Sequence, residues 1–197
     1  MEFISTAASS SAEVQQETIE RAKKGDQQAL GEIYDWYLPR VYRYVLARVG
    51  SVVEAEDLTE DIFLRMLGAM KEYRLQNIPF SAWLFRIAHN HLVSHFRKSA
   101  VRGFPVMVDD SFADTRPGPA AAVEQRLTME DVVRAARKLP EAQREIIALR
   151  FAVGLSIAET AQVLGKREGN VKSLQHKAVT KLQQMLIGKR EHLRAEA

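Results

Sequence analysis

Apolar residues recur at three- and four-residue steps along most of this chain, and this periodicity limits the possible folds more than any other feature. The pattern runs from Val14 to Ser99 and resumes from near Ala120 to about Ile187. Steps of three and four place apolar side chains on one face of an α-helix, whereas a half-buried strand needs strict alternation. The sequence therefore predicts an all-α fold without strands or internal repeats.

The segment between the two helical stretches predicts a flexible linker. It has no sustained period, a local excess of acids, and two prolines around one glycine at 117–119. We therefore expect two small helical domains joined by a tether. The expected boundaries are a disordered N-terminus at 1–13, a first domain at 14–100, a linker at 101–122, a second domain at 123–190 and a C-terminal tail at 191–197.

Local signals place the first helix boundaries. Asp26 is predicted to cap a helix whose apolar positions include Ile33 and Tyr37. Pro39 is interpreted as the first-turn proline of a second helix, and Gly50 as the residue that ends it.

Two further helices complete the first domain. Ser51 and Glu54 have the spacing of a capping box, which starts a helix that we expect to run to about Tyr73. The residues 77–79 break the pattern, and a last helix is predicted to begin at Ser81.

The second domain has the pattern of a helix-turn-helix. Ser156 and Glu159 form a second capping box, which starts a short helix ending near Val163. Ala161 lets two helices cross closely, Gly165 suits the left-handed turn and Val171 seals the pair. A plain helical hairpin with a basic solvent face is the alternative. The exposed side of the second helix would carry Arg167, Asn170, Lys172, Ser173, His176 and Lys177.

Charge is distributed unevenly, although the formal net charge is only +3. Residues 54–64 contain five acids and no base, whereas 86–102 contain four bases, three histidines and no acid. From Gly165 to the C-terminus there are eight bases and three acids. This distribution indicates a protein partner and a polyanion contacted twice, with ordinary solvated surface as the alternative.

Several classes are excluded or disfavoured by what the sequence lacks. It has no cysteine, so neither a disulfide framework nor a cysteine-based zinc site can form. No apolar run approaches the roughly 18 residues of a membrane span, and Met1–Thr6 does not resemble a signal peptide. We therefore expect a cytoplasmic protein that is not inserted in a membrane. Without a glycine-rich phosphate loop or a nucleophile elbow, an enzyme is disfavoured, and we expect no cofactor.

Histidines at 89, 91 and 95 form the one candidate metal group. His91 and His95 lie four residues apart, which suits two ligands on one helix face. No acid or cysteine lies nearby in sequence to complete a ligand set. We therefore predict no metal site and prefer phosphate contact or plain surface for these side chains.

Four segments together resemble the extracytoplasmic-function group (group 4) of the sigma-70 family of RNA polymerase sigma factors. Residues 55–65 (AEDLTEDIFLR) resemble the core-polymerase-binding helix of sigma region 2, and 80–90 (FSAWLFRIAHN) the helix that handles the minus-ten element. Residues 139–150 (LPEAQREIIALR) and 168–173 (EGNVKS) resemble sigma region 4. The order, the spacing and the linker length match that group over about four-fifths of the chain.

The resemblance implies roles for particular residues. The acidic helix would dock on core polymerase through Glu56, Asp57, Glu60 and Asp61, with Phe63 or Leu64 as an apolar anchor. Capturing single-stranded minus-ten DNA would involve Asn77, Phe80, Trp83, Arg86, Asn90, Arg97 and Lys98. Trp83 has helical spacing with core positions, so we favour a core role for it. The minus-thirty-five element would meet Arg167, Glu168, Asn170, Lys172, Ser173, His176 and Lys177.

The chain departs from the family pattern at a few positions. Ser94 stands where an aspartate is common, and Leu174 and Lys177 stand where arginines are common. Leu174 cannot make a bidentate base contact, so the minus-thirty-five preference stays open. The resemblance to this family also implies that a cognate anti-sigma factor binds the protein. Asp109, Asp110 and Asp114 either mimic a nucleic-acid backbone in the polymerase cleft or belong to a solvated tether.

The resemblance therefore predicts a sigma factor that brings core RNA polymerase to promoters, melts duplex DNA and catalyses no reaction of its own. A stand-alone duplex-binding regulator is the main alternative, and it does not account for the acidic helix followed by the basic aromatic one. A first domain that only binds proteins is a second alternative, and it predicts no single-stranded DNA affinity in residues 14–100.

Overall fold

The structure is a computed structural model, in which residues 16–74, 78–101 and 129–195 are described. Within these ranges the chain is helical and contains no strand, which confirms the all-α prediction. The helices are 16–23 (α1), Gln27–Val49 (α2), Val52–Ala69 (α3), Phe80–Val101 (α4), Met129–Arg137 (α5), Glu141–Ile147 (α6), Ile157–Leu164 (α7) and Glu168–Ala195 (α8). A short 3₁₀ turn, Met70–Glu72, follows α3, and a π-helical segment, Ala148–Val153, follows α6.

The ends of α2 and the start of α3 form as their sequences predict. The Asp26 carboxylate accepts the amides of Gln28 and Ala29 at 2.9 and 3.2 Å, and Gly50 ends α2 with a φ of 79°. The Ser51 hydroxyl accepts the amide of Glu54 at 3.4 Å. Only this half of the predicted capping box is present, because the Glu54 carboxylate contacts His95 instead.

The prediction that Pro39 begins a new helix is wrong. Helix α2 is continuous from Gln27 to Val49 with Pro39 inside it. A proline in a helix interior removes one hydrogen bond and costs about 3 kcal/mol. Pro39 itself is exposed, whereas Tyr37, Val41 and Tyr44 are buried on the opposite side of the helix. Burial of that continuous face outweighs the local cost.

The N-terminal helices α1–α4 and the C-terminal helices pack against each other. One buried apolar cluster combines residues of α1–α4 with Leu149, Val153 and Leu155. Leu149 and Leu155 are fully buried in it. Two smaller clusters hold the C-terminal helices together, one between α5 and α8 and one around Ile146. The two parts therefore share a core, which a tether between independent domains does not predict.

Some predicted boundaries fall outside the described residues. These are the N-terminus at 1–13, the linker except Val101, the predicted resumption of helix near Ala120, and Asn77. Helix α8 continues to Ala195, so most of the predicted C-terminal tail is helical.

Candidate polymerase and nucleic-acid interfaces

The acidic side chains of α3 lie on an exposed face. Glu56, Asp57, Glu60 and Asp61 are all exposed, and so are Leu64 and Leu67. Phe63 is only 4% exposed, and its ring packs on Tyr34 with 4.7 Å between the centroids. Of the two apolar anchors predicted from sequence, only Leu64, at 65% exposure, is therefore available to a partner.

Helix α4 presents a polar stripe to solvent. Arg86, Asn90 and Arg97 are exposed, and at 3.6 residues per turn the intervals of four and seven place them on one side of the helix. The opposite side is apolar, with Leu84, Phe85 and Leu92 buried. A row of cationic and amide groups on one rigid helix can follow a phosphate backbone and contact bases.

The aromatic residues at the start of α4 support the loop before it. Phe80 is 5% exposed, and its ring contacts those of Tyr73 and Trp83, each at 5.3 Å between centroids. The Tyr73 hydroxyl donates to the carbonyl of Ile78 at 2.9 Å, which ties the two sides of the loop together. Trp83 packs against the core cluster, as favoured from sequence. Phe80 and Trp83 therefore support the described residues on either side of 75–77, and Phe80 presents no open face to DNA.

A groove runs between α3 and α4. Its volume is about 520 Å³, and it is lined by Asp61 and Arg65 from α3 and by Asn90, His91 and Lys98 from α4, among others. Burial, followed by the charge of Arg65, lowers the pKa of His91, although Asp61 opposes this shift. His91 is thus held towards its neutral form beside two cationic side chains. Lys98 lies at this groove rather than in the stripe of Arg86.

Each histidine of α4 has a carboxylate partner, and sequence reasoning missed all three. His89 Nδ1 lies 3.1 Å from Glu145, His91 Nε2 lies 3.3 Å from Asp61, and His95 Nε2 lies 2.7 Å from Glu54. These carboxylates come from other helices, so proximity along the sequence could not reveal them. The interpretation of these side chains as plain surface is therefore wrong, and their contact with phosphate stays a prediction. Among the described residues, no three side chains of the metal-binding types cluster closely enough to hold an ion.

The predicted helix-turn-helix is formed by α7 and α8. The capping box of α7 is complete: the Ser156 hydroxyl accepts the amide of Glu159 at 3.1 Å, and the Glu159 carboxylate accepts the amide of Ser156 at 2.8 Å. Gly165 makes the turn with a φ of 60°. Ala161 and Val171 are buried together with Ile146 of α6, as the spacing predicts.

One side of the start of α8 faces solvent. All seven residues predicted to meet duplex DNA are exposed: Arg167, Glu168, Asn170, Lys172, Ser173, His176 and Lys177. Leu174 instead packs partly buried against the cluster around Ile146. Leu174, where the family often has an arginine, therefore contributes to packing between α8 and the helices before it. Arg150, which sequence reasoning also missed, supports α8 through a 2.8 Å hydrogen bond to Gln175.

Comparison with known proteins agrees with this geometry. The family model for sigma-70 region 2 matches residues 33–102, and that for sigma-70 region 4 matches 129–182. The ECF RNA polymerase sigma factor BldN of Streptomyces coelicolor is 40% identical over 183 residues, which cover 91% of this chain and 69% of BldN. SigW of Bacillus subtilis is 30% identical, with 85% of this chain and 94% of SigW covered.

The chain belongs to the extracytoplasmic-function RNA polymerase sigma factors. Such a protein directs the polymerase to promoters, and this is the function of the chain. The sigma factor RpoE from Bartonella quintana, solved with the anti-sigma factor NepR, has 27% identity and a TM-score of 0.62 over 79% of this chain and 95% of its own. CnrH, solved with the cytosolic domain of CnrY, shares the fold at 24% identity and a TM-score of 0.65, with 87% and 96% covered.

The two matched segments assign the helices of this sigma factor to region 2 and region 4. Most of α2, with α3 and α4, falls within region 2, and α5–α7 with the first half of α8 fall within region 4. In the described part of the chain, no helix is both long and apolar enough to cross a bilayer.

Proposed function

We propose that three exposed helix faces divide the work of this sigma factor. The acidic face of α3 binds core polymerase, the stripe on α4 with the loop before it binds melted minus-ten DNA, and the start of α8 binds the minus-thirty-five duplex. The observation that carries this proposal is that each face is exposed on its own rigid helix and has the charge that its partner requires.

Docking on core polymerase combines charge steering with one apolar contact. Four carboxylates precede Leu64 on the exposed face of α3, so a basic partner surface would be attracted before Leu64 is buried. By family resemblance that surface is the clamp-helix coiled coil of the largest polymerase subunit. Leu64 is the residue through which the contact gains its apolar component.

Promoter contact divides into single-strand capture and duplex recognition. On α4, Arg86 and Arg97 would hold the backbone while Asn90 offers an amide to a base edge. On α8, Lys172 and Lys177 would meet phosphates, and Asn170 lies near the helix N-terminus, which enters a major groove in this class of motif. Asn77 lies outside the described residues, and its proposed role in reading a flipped base rests on resemblance alone.

The remaining parts of the proposal concern location and partners. The protein would act in the cytoplasm, where polymerase and DNA are, and would catalyse no reaction of its own. A cognate anti-sigma factor is proposed as well. Support for it comes from RpoE, which is similar over 79% of this chain and was solved with the anti-sigma factor NepR.

Site-specific photocrosslinking tests the three assignments together. Holoenzyme is assembled with core polymerase on fragmented host DNA, and benzoylphenylalanine replaces one exposed residue at a time: Glu60, Asn90, Lys172 or, as a control, Ile187. We expect Glu60 to crosslink to the largest polymerase subunit, and Asn90 and Lys172 to DNA at two separate positions. Crosslinks from Lys172 to DNA without any from Glu60 to polymerase would favour the stand-alone regulator.

A further inference from the structure

A buried carboxylate connects the two sigma regions. Glu145 lies on α6 of region 4, and its side chain is 7% exposed. It accepts the hydroxyl of Tyr44, the guanidinium Nε of Arg48 lies 2.9 Å away, and Nδ1 of His89 lies 3.1 Å away. All three partners belong to region 2, on α2 and α4.

This contact forms only if both regions supply their groups. Burial alone would raise the pKa of Glu145, but the His89 hydrogen bond, the Arg48 charge and the Tyr44 hydroxyl together lower it, so the carboxylate is charged in place. Arg48 is itself 2% exposed, with Phe96 beneath its guanidinium at 5.4 Å. Its other ion-pair partner is Glu141, at 3.3 Å, which is 69% exposed. Arg144 also lies next to this group, and its pKa is lowered mainly by burial.

Further contacts surround the carboxylate and fix the relative placement of the regions. Arg40 donates to the carbonyl of Val153 at 3.1 Å from Nη2, and the Ser81 hydroxyl donates to Glu159. Leu149 is fully buried in the apolar cluster that includes region 2. We call this arrangement, with α7 against α4 and Glu145 between α2 and α4, the closed form.

The closed form cannot hold both promoter elements at once. This inference rests on the proposed function, in which α4 binds the minus-ten element and α8 the minus-thirty-five element. The names of the elements place them about 25 base pairs apart, or roughly 85 Å at about 3.4 Å per base pair. Helix α4 has 22 residues, and at about 1.5 Å per residue it spans only about 33 Å. Since α7 contacts α4 directly, region 4 must leave region 2 before both elements are bound. The 27 residues from 102 to 128, at about 3.3 Å each, permit a separation of about 90 Å.

We propose that Glu145 is an interdomain lock. The face of region 2 formed by Tyr44, Arg48 and His89 binds region 4 of the same chain through this carboxylate and keeps the free sigma factor closed. Opening separates the ion pair of Arg48 and Glu145 and exposes the apolar cluster around Leu149 to water, which makes separation costly. The lock therefore opposes the separation of regions 2 and 4 that binding both promoter elements at once requires.

Intramolecular energy transfer in the full-length chain tests the lock without polymerase or DNA. The chain has no cysteine, so Gln28→Cys on α2 and Gln183→Cys on α8, both at exposed positions, accept a dye pair cleanly. We expect the free protein to show one narrow, closed population. Glu145→Gln keeps the side-chain shape and removes the charge, and it should raise the open-to-closed ratio by about 100-fold or more.

Two further variants separate loss of the lock from misfolding. Tyr44→Phe removes only the hydroxyl, on the region 2 side, and should raise the ratio by about tenfold or more. Glu141→Gln removes the exposed partner of the same Arg48 and should change it by less than about fivefold. If Glu145→Gln loses helical circular dichroism, Tyr44→Phe decides.

Either of two results would overturn the proposal. One is a free protein that is already broadly open. The other is a closed population that neither Tyr44→Phe nor a folded Glu145→Gln variant disturbs. Because the assay contains no polymerase, such a result would leave the three proposed interfaces untouched.

Discussion

Leu64→Ala should weaken binding to core polymerase without destabilising the protein. Leu64 is 65% exposed on the acidic face of α3. Fully burying a leucine contributes about 1.5–3 kcal/mol, so burying the exposed two-thirds contributes about 1–2 kcal/mol to the complex. Truncation should therefore weaken binding about 5- to 30-fold. Since the free protein loses no buried contact, its stability should change by no more than about 0.5 kcal/mol.

The adjacent residue provides a matched contrast. Phe63 is 4% exposed and packed on Tyr34, so Phe63→Ala should cost about 3–5 kcal/mol of folding stability. Ile187→Ala, at an exposed position on α8, should affect neither quantity. Affinity is measured by fluorescence anisotropy of the labelled full-length chain titrated with core polymerase, and stability by urea unfolding. A folded Leu64→Ala variant that binds core polymerase as tightly as the parent would refute the assignment of this face.

Three further predictions concern the turn, the duplex contact and the lock. Gly165→Ala should lower stability by about 1–2 kcal/mol in thermal unfolding, because the φ of Gly165 is 60° and an alanine is strained in that conformation. Gly169 lies in helix α8, and a methyl group would meet no atom at either position, so Gly169→Ala is the control and should not lower stability. Equal effects of the two substitutions would contradict the assignment of Gly165 to the turn. Lys177→Ala should reduce the salt dependence of promoter-duplex binding by about one unit of log–log slope, with exposed Lys24→Ala as the control, and an unchanged slope would remove Lys177 from the interface. Because the pKa of Glu145 is lowered in the closed form, its charge contributes stability to that form above the ordinary value of 4.5, and this contribution is lost as the pH falls below it. Energy transfer should therefore report opening at low pH, and Glu145→Gln should reduce this dependence, leaving the part that Glu159 contributes through Ser81.

Local signals predicted the individual helices well. Asp26, Gly50, Ser156 and Gly165 occupy the caps that their residue types favour. These signals succeed because capping depends on a few neighbouring residues. Pro39 does not begin a helix as predicted: its local cost is real, but the buried face of α2 on either side of it decides the outcome. Tertiary burial is not visible in a short window of sequence.

The contact between the two regions was missed for a related reason. Glu145 precedes Leu149 by one helical turn, and Arg48 follows Tyr44 by one turn, so both charges occupy core-facing positions. Taken alone, each of these charged residues only interrupts the apolar side of an amphipathic helix. Their pairing across 97 positions is a property of the folded chain. The sequence therefore shows that a charged residue occupies a buried helical position, but it does not show which residue pairs with it.

Run-off transcription tests the central claim most directly. Purified core polymerase is incubated with fragmented host DNA, with and without this protein, and the 5′ ends of new RNA are sequenced. A promoter-directing sigma factor predicts defined start sites that appear only with the protein, preceded by two shared sequence elements at a constant spacing. No new starts, from protein that is folded and binds specific duplex DNA, would contradict the account and favour a regulator that acts without core polymerase.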